Sequence, residues 1–232
     1  TIRAVSARQG LRVSFSPKVV ANHVGNGGHV HLSLWRAETN LFAGGDGPFG
    51  LTAEAESFAA GILDRLPALL AVGAPSVASY LRLIPQHWAG AYAVWGLENR
   101  EAALRLVTGP AGNRDRAANL EVKSFDQTAN PYLLVAGLIF AGLAGIDQTV
   151  RLPAPVDVDP ALLDDEERAR RGISRLPSSL DESAAAFAAD PMLTKEFGHD
   201  LTAAILAVRR GEIEHFAQSS PAEIVEQVRW VH

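Results

Sequence analysis

Alternating polar and apolar positions predict the strands of this chain. From residue 29 to residue 35 the alternation has a period of two, which is typical of a strand with one buried face. Such a strand places His29, His31, Ser33 and Trp35 on one face and the intervening apolar residues toward the core. Shorter runs predict further strands at 11–15, at 91–96, around Arg105 and at 119–124.

Helical spacing and capping residues predict the rest of the secondary structure. The long apolar run at 133–146 predicts a buried helix that begins near Pro131. We expect other helices at 1–10, from Thr52 to Pro67, at 68–72, at 183–189, at 195–217 and at 221–231. In the helix at 195–217, the inward-facing residues are predicted to be Phe197, Leu201, Ile205 and Val208. An extended linker at 152–156 and a charged turn at 164–171 lie between them.

Composition narrows the possible functions. A chain of 232 residues with 47% hydrophobic and 20% charged residues can bury a substantial core, as one large domain or two small ones. The net charge of −5 gives no general basic surface for nucleic acid. The absence of cysteine excludes disulfides, thiolate metal sites and cysteine nucleophiles. Any metal would therefore be bound by histidine and carboxylate groups, which suits Mg²⁺, Mn²⁺ or Zn²⁺.

Targeting signals give an expectation about location. The first residues show neither the apolar core nor the small-residue cleavage site of a signal peptide. The run at 133–146 is too short to cross a bilayer. We therefore expect a cytoplasmic protein with no membrane partner.

The glycine-dense loop at 25–28 precedes the two histidines and suggests a binding site. Glycines let a ligand approach the backbone, and neighbouring imidazoles at the loop exit can bind a metal or a polar substrate. The alternative is a strand whose solvent-exposed face carries His29 and His31 by chance. The number of glycines favours the binding site, because ordinary strand entries do not need so many.

Charged residues also accumulate on the predicted strand faces. For each residue alone, a solvated face is the simpler interpretation. Together they indicate a site for a polyanion and a metal, because arginine binds carboxylate and phosphate oxygens two at a time. The residues concerned are Arg82, Arg100, Arg105, Glu121 and Lys123. The chain has no Walker-type phosphate loop.

Several of these segments, in this order, resemble motifs of glutamine synthetase. The run GNGGHVHLSLW at 25–35 is similar to the family's N-G-S-G-M-H-V-H-x-S-L-W. RLIP at 82–85 resembles R-L-V-P, and NREAALR at 99–105 resembles N-R-S-A-x-I-R. LEVKS at 120–124 and DQTANPY at 126–132 resemble I-E-V-R-x and D-P-S-A-N-P-Y. The resemblance covers residues 1–146 closely and the remainder more loosely.

The resemblance implies a fold. We expect an α+β catalytic domain with an antiparallel curved sheet flanked by helices and a helical C-terminal third. The chain would be one partial catalytic domain over 1–232, with the site-bearing sheet and helices in 1–150 and a helical segment in 151–232. The family's N-terminal domain and its other metal-binding glutamates would lie upstream of Thr1, so the chain is expected to be truncated at its N-terminus.

The resemblance also implies roles for individual residues. His29 and Glu121 would bind metal, and Gly25 would hold glutamate through its backbone. Arg82 would bind a glutamate carboxylate and, with Arg100, would be catalytic. The transferred phosphate and ATP would be bound by His31, Ser33, Arg100 and Arg105. Lys123 and Trp88 would contact the substrates.

The implied reaction is an ATP-dependent ligation that uses Mg²⁺ or Mn²⁺. A γ-glutamyl phosphate forms from glutamate, and an amine then displaces the phosphate. Two divalent ions and the arginines would offset the charge on the transferred phosphate. The full-length family assembles as homo-oligomers, and the assembly of this chain stays open.

Departures from the family pattern bear on the amine. Trp88 stands where ammonia-using members have a glutamate, and an indole cannot accept a proton, although it can stack on a larger amine. Lys123 replaces a substrate-binding arginine, Asn119 replaces another arginine, and Val24 replaces an asparagine. These changes favour relatives that make γ-glutamyl amides from polyamines, ethanolamine or other amines, over ammonia users.

Two alternatives remain beside the ligase. The first is a non-catalytic fragment or remnant that keeps the fold for binding or assembly, since the upstream carboxylates are absent. The second is an unrelated metal hydrolase with histidine and carboxylate ligands, which the ordered arginine motifs argue against.

Overall fold

The computed structural model describes residues 1–231. Its helices are α1 (Ile2–Arg8), α2 (Ala53–Gly73), α3 (Val77–Arg82), α4 (Arg114–Ala117), α5 (Pro131–Asp147), α6 (Asp165–Arg170), α7 (Leu180–Ala189), α8 (Pro191–Phe197), α9 (His199–Phe216) and α10 (Pro221–Val228). Its strands are β1 (Val30–Leu32), β2 (Trp35–Arg36), β3 (Thr39–Asn40), β4 (Tyr92–Leu97), β5 (Ala102–Val107) and β6 (Asn119–Val122). Short 3₁₀ turns lie at Pro48–Gly50 and Pro160–Leu162. The predicted α+β class with a helical C-terminal third is confirmed.

The main sheet has the strand order β1-β6-β5-β4, and β2 pairs with β3 in a separate ribbon. β6 runs antiparallel to both β1 and β5, as predicted. β4 and β5 run parallel, so the sheet is mixed at this edge. The alternating pattern of each strand carries no information about direction, which is why the prediction missed this pair.

Two strand predictions need correction. The alternating run at 29–35 forms two strands, β1 and β2, because the chain leaves the sheet at Ser33 and Leu34 to enter the ribbon. The run at 11–15 forms no strand. Its polar groups are satisfied elsewhere: the Ser14 hydroxyl donates to the Arg229 carbonyl, and the Arg12 guanidinium lies 4.1 Å from the centre of the Trp230 ring.

Helix α2 continues through Pro67, where the sequence predicted an end and a second helix. A proline inside a helix removes one backbone hydrogen bond and costs about 3 kcal/mol. Leu66, Leu69 and Leu70 on either side are fully buried in the main core, and this packing outweighs the lost bond. Sequence propensity alone does not show that burial.

Helices α2 and α5 form the centre of the core and approach each other through glycine. A Cβ atom on Gly61 would lie 2.2 Å from the Ala141 carbonyl oxygen, and one on Gly145 would lie 2.2 Å from the Ser57 carbonyl oxygen. The predicted burial of α5 holds for one face. On the other face Ile139 and Leu143 are about half exposed.

The C-terminal third differs from prediction at two places. Residues 164–171 form helix α6 instead of a turn, because Asp164 caps its start and acidic residues fill its first turn. Gly198, with φ of 77°, separates α8 from α9 where one continuous helix was predicted. The change of axis keeps Phe197 and Ile205 buried but exposes Leu201 and Val208, whose predicted inward orientation was wrong.

No helix in the part of the chain that the structure describes is both long and apolar enough to cross a membrane.

Candidate active site

Three neighbouring strands of the main sheet place His31, Glu121 and Arg105 in one row. His31 on β1 pairs with Glu121 on β6, and Glu121 pairs with Arg105 on β5. Adjacent strands lie about 4.8 Å apart, and residues opposite one another point to the same face. The row therefore brings an imidazole, a carboxylate and a guanidinium onto one polar face.

Glu121 is the centre of this face. Its side chain is buried, and one oxygen, Oε1, accepts a hydrogen bond from His29 Nδ1 at 2.7 Å. The other oxygen, Oε2, accepts from Arg105 Nη1 at 3.1 Å. His31 Nε2 and Lys123 Nζ lie 3.6 Å and 3.9 Å from Oε1. These five residues, predicted separately from the sequence, are together in the structure.

The charges on this face keep Glu121 ionised. Burial acts to raise the pKa of Glu121, but the hydrogen bond from His29 and the charges of Lys123 and the two histidines outweigh it and lower the pKa to about 2. Burial lowers the pKa of the Lys123 ammonium, which the Glu121 carboxylate opposes. The Glu121 carboxylate is therefore ionised at neutral pH, beside the cationic side chains of Arg105 and Lys123.

Glu98 is a member of this cluster that the sequence analysis missed. Its Oε2 accepts from Arg105 Nε at 3.1 Å and also from Arg105 Nη2, and its Oε1 accepts from the Thr108 amide at 3.0 Å. Glu98 directly precedes the NREAALR motif, and its φ of 51° turns the chain between β4 and β5. No local sequence pattern links it to Arg105.

Arg82 and the glycine loop form a second group beside the first. The buried Arg82 side chain donates from Nη2 to the carbonyls of Ser124 at 2.8 Å and Phe125 at 3.0 Å. A Cβ on Gly25 would lie 2.2 Å from Arg82 Cγ, so the loop backbone needs glycine there. A Cβ on Gly27 would lie 3.0 Å from Arg82 Nη1 and 3.3 Å from His29 Nε2, so this loop adjoins both groups.

The remaining predicted residues lie at the edges of the face. Arg100 is exposed, and its charge acts to lower the pKa of Lys123. Trp88 is 60% exposed in the loop before β4. Ser33 lies just after β1, and its hydroxyl accepts a hydrogen bond from Trp35 Nε1 at 2.8 Å. These three are not bonded directly to Glu121 within the described residues.

The donor set fits part of a divalent metal site. His29, His31 and Glu121 offer the nitrogen and oxygen ligands expected for such a cation. Within residues 1–231, however, no group of three or more His, Asp or Glu side chains has an arrangement that could hold a metal ion. Arg105 and Lys123 also place positive charge next to Glu121. The described residues thus supply only part of a metal site, and further carboxylates would be needed.

A surface cleft of about 530 Å³ lies beside the β2–β3 ribbon, lined in part by Trp35, Asn40 and Arg116. It does not contain His29 or Glu121. The polar face around Glu121 is therefore separate from this cleft.

The similarity of this chain to known proteins extends over nearly its whole length. The sequence profile described as the glutamine synthetase catalytic domain matches residues 1–227. The chain belongs to the glutamine synthetase family. Three of its motifs, at 25–35, 99–105 and 120–124, contribute His29, Arg105 and Glu121 to the polar face.

Individual members of the family differ in their similarity to this chain. It is 56% identical over 230 residues to "Gamma-glutamylpolyamine synthetase GlnA3" of Streptomyces coelicolor, covering 99% of this chain and 49% of that protein. It is 38% identical over 197 residues to the glutamine synthetase of Thermococcus kodakarensis, covering 85% of this chain and 43% of that protein. The expected similarity to γ-glutamyl-amide ligases is confirmed, since the identity to the protein named a γ-glutamylpolyamine synthetase is higher than to this one named a glutamine synthetase.

Solved structures of glutamine synthetase homologues have the same fold as this chain. A crystal structure described as a novel glutamine synthase homolog superposes with a TM-score of 0.85 at 35% identity, over 99% of this chain and 51% of that one. A complex of GmaS with ADP has a TM-score of 0.81 at 32% identity, covering 94% of this chain and 49% of the GmaS chain. The chain spans about half the length of the relatives it matches.

Proposed function

We propose that this chain carries part of the active site of an ATP-dependent ligase that joins an amine to the γ-carboxylate of glutamate. The observation that supports it most is the row formed by His31, Glu121 and Arg105, with His29 on the same carboxylate. Scattered motifs of one family meet there on one polar face. An arrangement of this kind suits phosphoryl transfer, in which positioning and charge neutralisation do most of the work.

Each predicted residue has a proposed role in this reaction. His29 and Glu121 would bind a divalent cation, Mg²⁺ or Mn²⁺, which would neutralise phosphate charge when bound. Arg105, Arg100, His31 and Ser33 would hold ATP and the transferred phosphate.

Arg82 and Gly25 would hold glutamate. The Arg82 guanidinium is fixed by two backbone carbonyls, so its free edge is pre-oriented toward a carboxylate. Lys123 would offer a single ammonium group to the substrate, whereas an arginine would offer a guanidinium that can bind two oxygens at once.

The amine is proposed to be larger than ammonia. Trp88 presents an exposed indole that can pack against an alkyl chain or a cation but cannot accept a proton. The relative with 56% identity is named as a γ-glutamylpolyamine synthetase, which agrees with that choice. We propose a polyamine or another organic amine as the second substrate, and assembly of the whole protein as a homo-oligomer in the cytoplasm.

The proposal is tested by amine-dependent phosphate release. The whole protein, of which this chain supplies part of the active site, is incubated with ATP, Mg²⁺ and glutamate, and phosphate is measured with ammonia, ethanolamine, a diamine and a polyamine in turn. We expect faster release with one organic amine than with ammonia. No amine-dependent release with any of them would refute the ligase.

A second candidate is a non-catalytic binding or assembly module. The incomplete metal donor set among the described residues favours it. Calorimetry with Mg²⁺ and a non-hydrolysable ATP analogue separates the two, with a His29→Ala variant as comparison. Binding that is lost in His29→Ala supports the ligase site, whereas no binding to either form supports the module.

A further inference from the structure

Glu101 lies in the turn just before β5, one residue before Ala102. The antiparallel register pairs Arg105 with Glu121, and the Lys123 amide donates to the Ala103 carbonyl at 2.9 Å. Glu101 therefore follows the end of this strand pair that lies beyond Ala103 and Lys123. Glu101 lies four residues before Arg105, so the two are at most about 14 Å apart along the chain. The negative charges of Glu121 and Glu101 both act to raise the pKa of Lys123.

One oxygen of Glu101 fixes the loop that carries Trp88. Glu101 Oε1 accepts a hydrogen bond from the Trp88 amide at 3.3 Å. Gln86, Trp88 and Gly90 all have positive φ, at 63°, 52° and 68°, so this loop follows a narrow backbone path. Within the described part of the chain, no hydrogen bond engages Glu101 Oε2. The second oxygen of this partly buried carboxylate is thus available next to the loop whose Trp88 side chain is exposed.

A carboxylate and an indole together bind an ammonium group. The carboxylate accepts a charge-assisted hydrogen bond, and the indole face attracts a cation. Burial raises the pKa of Glu101 and the negative charge of Asp159 raises it further, while the Trp88 amide, Lys123 and His87 oppose this. A cation that binds there offsets the cost of burying the negative charge.

We propose that Glu101, together with the Trp88 indole, binds the remote ammonium group of a di- or polyamine whose other amino group is joined to glutamate. The inference rests on the proposed function and specifies its amine. A diamine or polyamine carries a second ammonium group at a distance from its reacting amino group, and ammonia does not. Glu101 would then determine specificity for the amine substrate by binding the ammonium group that does not react.

Glu101→Gln separates charge recognition from loop support. Glutamine keeps a side-chain oxygen for the Trp88 amide and removes the negative charge. The substrates are 1,4-diaminobutane and 1-aminobutane, which have the same carbon chain and differ in the second ammonium. We expect the KM for the diamine to rise about tenfold, as for loss of a charged hydrogen bond, with the KM for the monoamine unchanged.

Hydroxylamine supplies an internal reference, because it is largely uncharged at neutral pH and has no second amino group. Glu101→Gln should form γ-glutamyl hydroxamate at the wild-type rate, and the matched variant Glu196→Gln, on the exposed surface of α8, should behave as wild type in every assay. An equal rise in KM for both amines, or no rise for the diamine, overturns the inference.

Failure of the proposed function gives a different result. In that case wild type forms no product with hydroxylamine or with any amine. Direct calorimetry with 1,4-diaminobutane then still tests Glu101, because the site needs no turnover. Weaker binding to Glu101→Gln than to wild type supports it, and equal binding or no binding to wild type overturns it.

Discussion

Arg105 Nη1 lies 3.1 Å from Glu121 Oε2, across the antiparallel pair of β5 and β6. The other oxygen of the same carboxylate accepts from His29 Nδ1, on a segment 92 residues earlier in the chain. One buried carboxylate therefore connects three parts of the fold. Lys123, also buried, has Glu121 as its nearby anionic partner at 3.9 Å. The stability of this face should depend strongly on that single negative charge.

Replacement of Glu121 by glutamine tests this dependence. The change deprives the buried Lys123 of its ion-pair partner at 3.9 Å, and removal of one partner of a buried pair costs about 3 kcal/mol. We expect a loss of that size in the free energy of unfolding, measured by urea titration. The matched variant Glu98→Gln removes a partly exposed partner of Arg105 and should cost about 0.5 kcal/mol. Equal losses in the two variants would contradict the central place of Glu121.

Gly25→Ala tests the close approach of the glycine loop to Arg82. The added Cβ would meet Arg82 Cγ at 2.2 Å and the Pro17 carbonyl oxygen at 2.9 Å, so the loop must shift. Such overpacking costs about 2 kcal/mol. Gly211→Ala is the control, because Gly211 lies within α9 with open space around it.

The control substitution should change the free energy of unfolding in the opposite direction. Alanine in an exposed helix interior is more favourable than glycine by about 0.8 kcal/mol. We therefore expect thermal or urea unfolding to show a destabilised Gly25→Ala and a slightly stabilised Gly211→Ala. A Gly25→Ala protein as stable as wild type would show that the loop adapts freely.

Helix α5 provides a test of which apolar residues stabilise the core. Leu138 is fully buried, whereas the adjacent Ile139 is 46% exposed. Truncation of a buried leucine leaves a cavity and costs about 3 kcal/mol, so Leu138→Ala should lower the free energy of unfolding by that amount. Ile139→Ala should cost below about 1 kcal/mol, since less surface is returned to water. Similar costs would mean that the outer face of α5 is covered in solution.

The polar face is predictable from the sequence because strand periodicity and the family motifs both identify the same residues. Alternation places Glu121 and Lys123 together on one face, and the motifs link them to His29 and Arg105. The prediction for α5 was half right, since composition shows that a helix is apolar but not which side has a partner. Packing of that kind depends on residues far away in the chain.

Other features depend on tertiary context that no local pattern encodes. The passage of α2 through Pro67 is decided by the burial of its neighbours. The parallel pairing of β4 and β5 and the contact of Glu98 with Arg105 depend on how the chain turns between the strands. Leu201 and Val208 were assigned inward by spacing, and the break at Gly198 changes the direction of the helix that bears them.

Alkaline pH should reveal the buried hydroxyl of Tyr80. Its oxygen donates to the Ser183 hydroxyl at 2.6 Å, and burial raises its pKa above the ordinary value of about 10. A group with a raised native pKa binds its proton more tightly when folded. Its contribution to stability is complete below about pH 10 and is lost as the pH rises above that value, with a slope of up to about 1.4 kcal/mol per pH unit.

Tyr80→Phe isolates this contribution from the other groups that titrate in base. At pH 7 the variant should be less stable than wild type by about 1 kcal/mol, because the hydrogen bond to Ser183 is lost. Above about pH 10 the difference should shrink, since wild type alone loses stability through this phenol. Urea unfolding of both proteins from about pH 7 to about pH 11 measures the difference directly. A difference that stays constant over this range would mean that the Tyr80 phenol ionises as easily in the folded protein as in the unfolded chain.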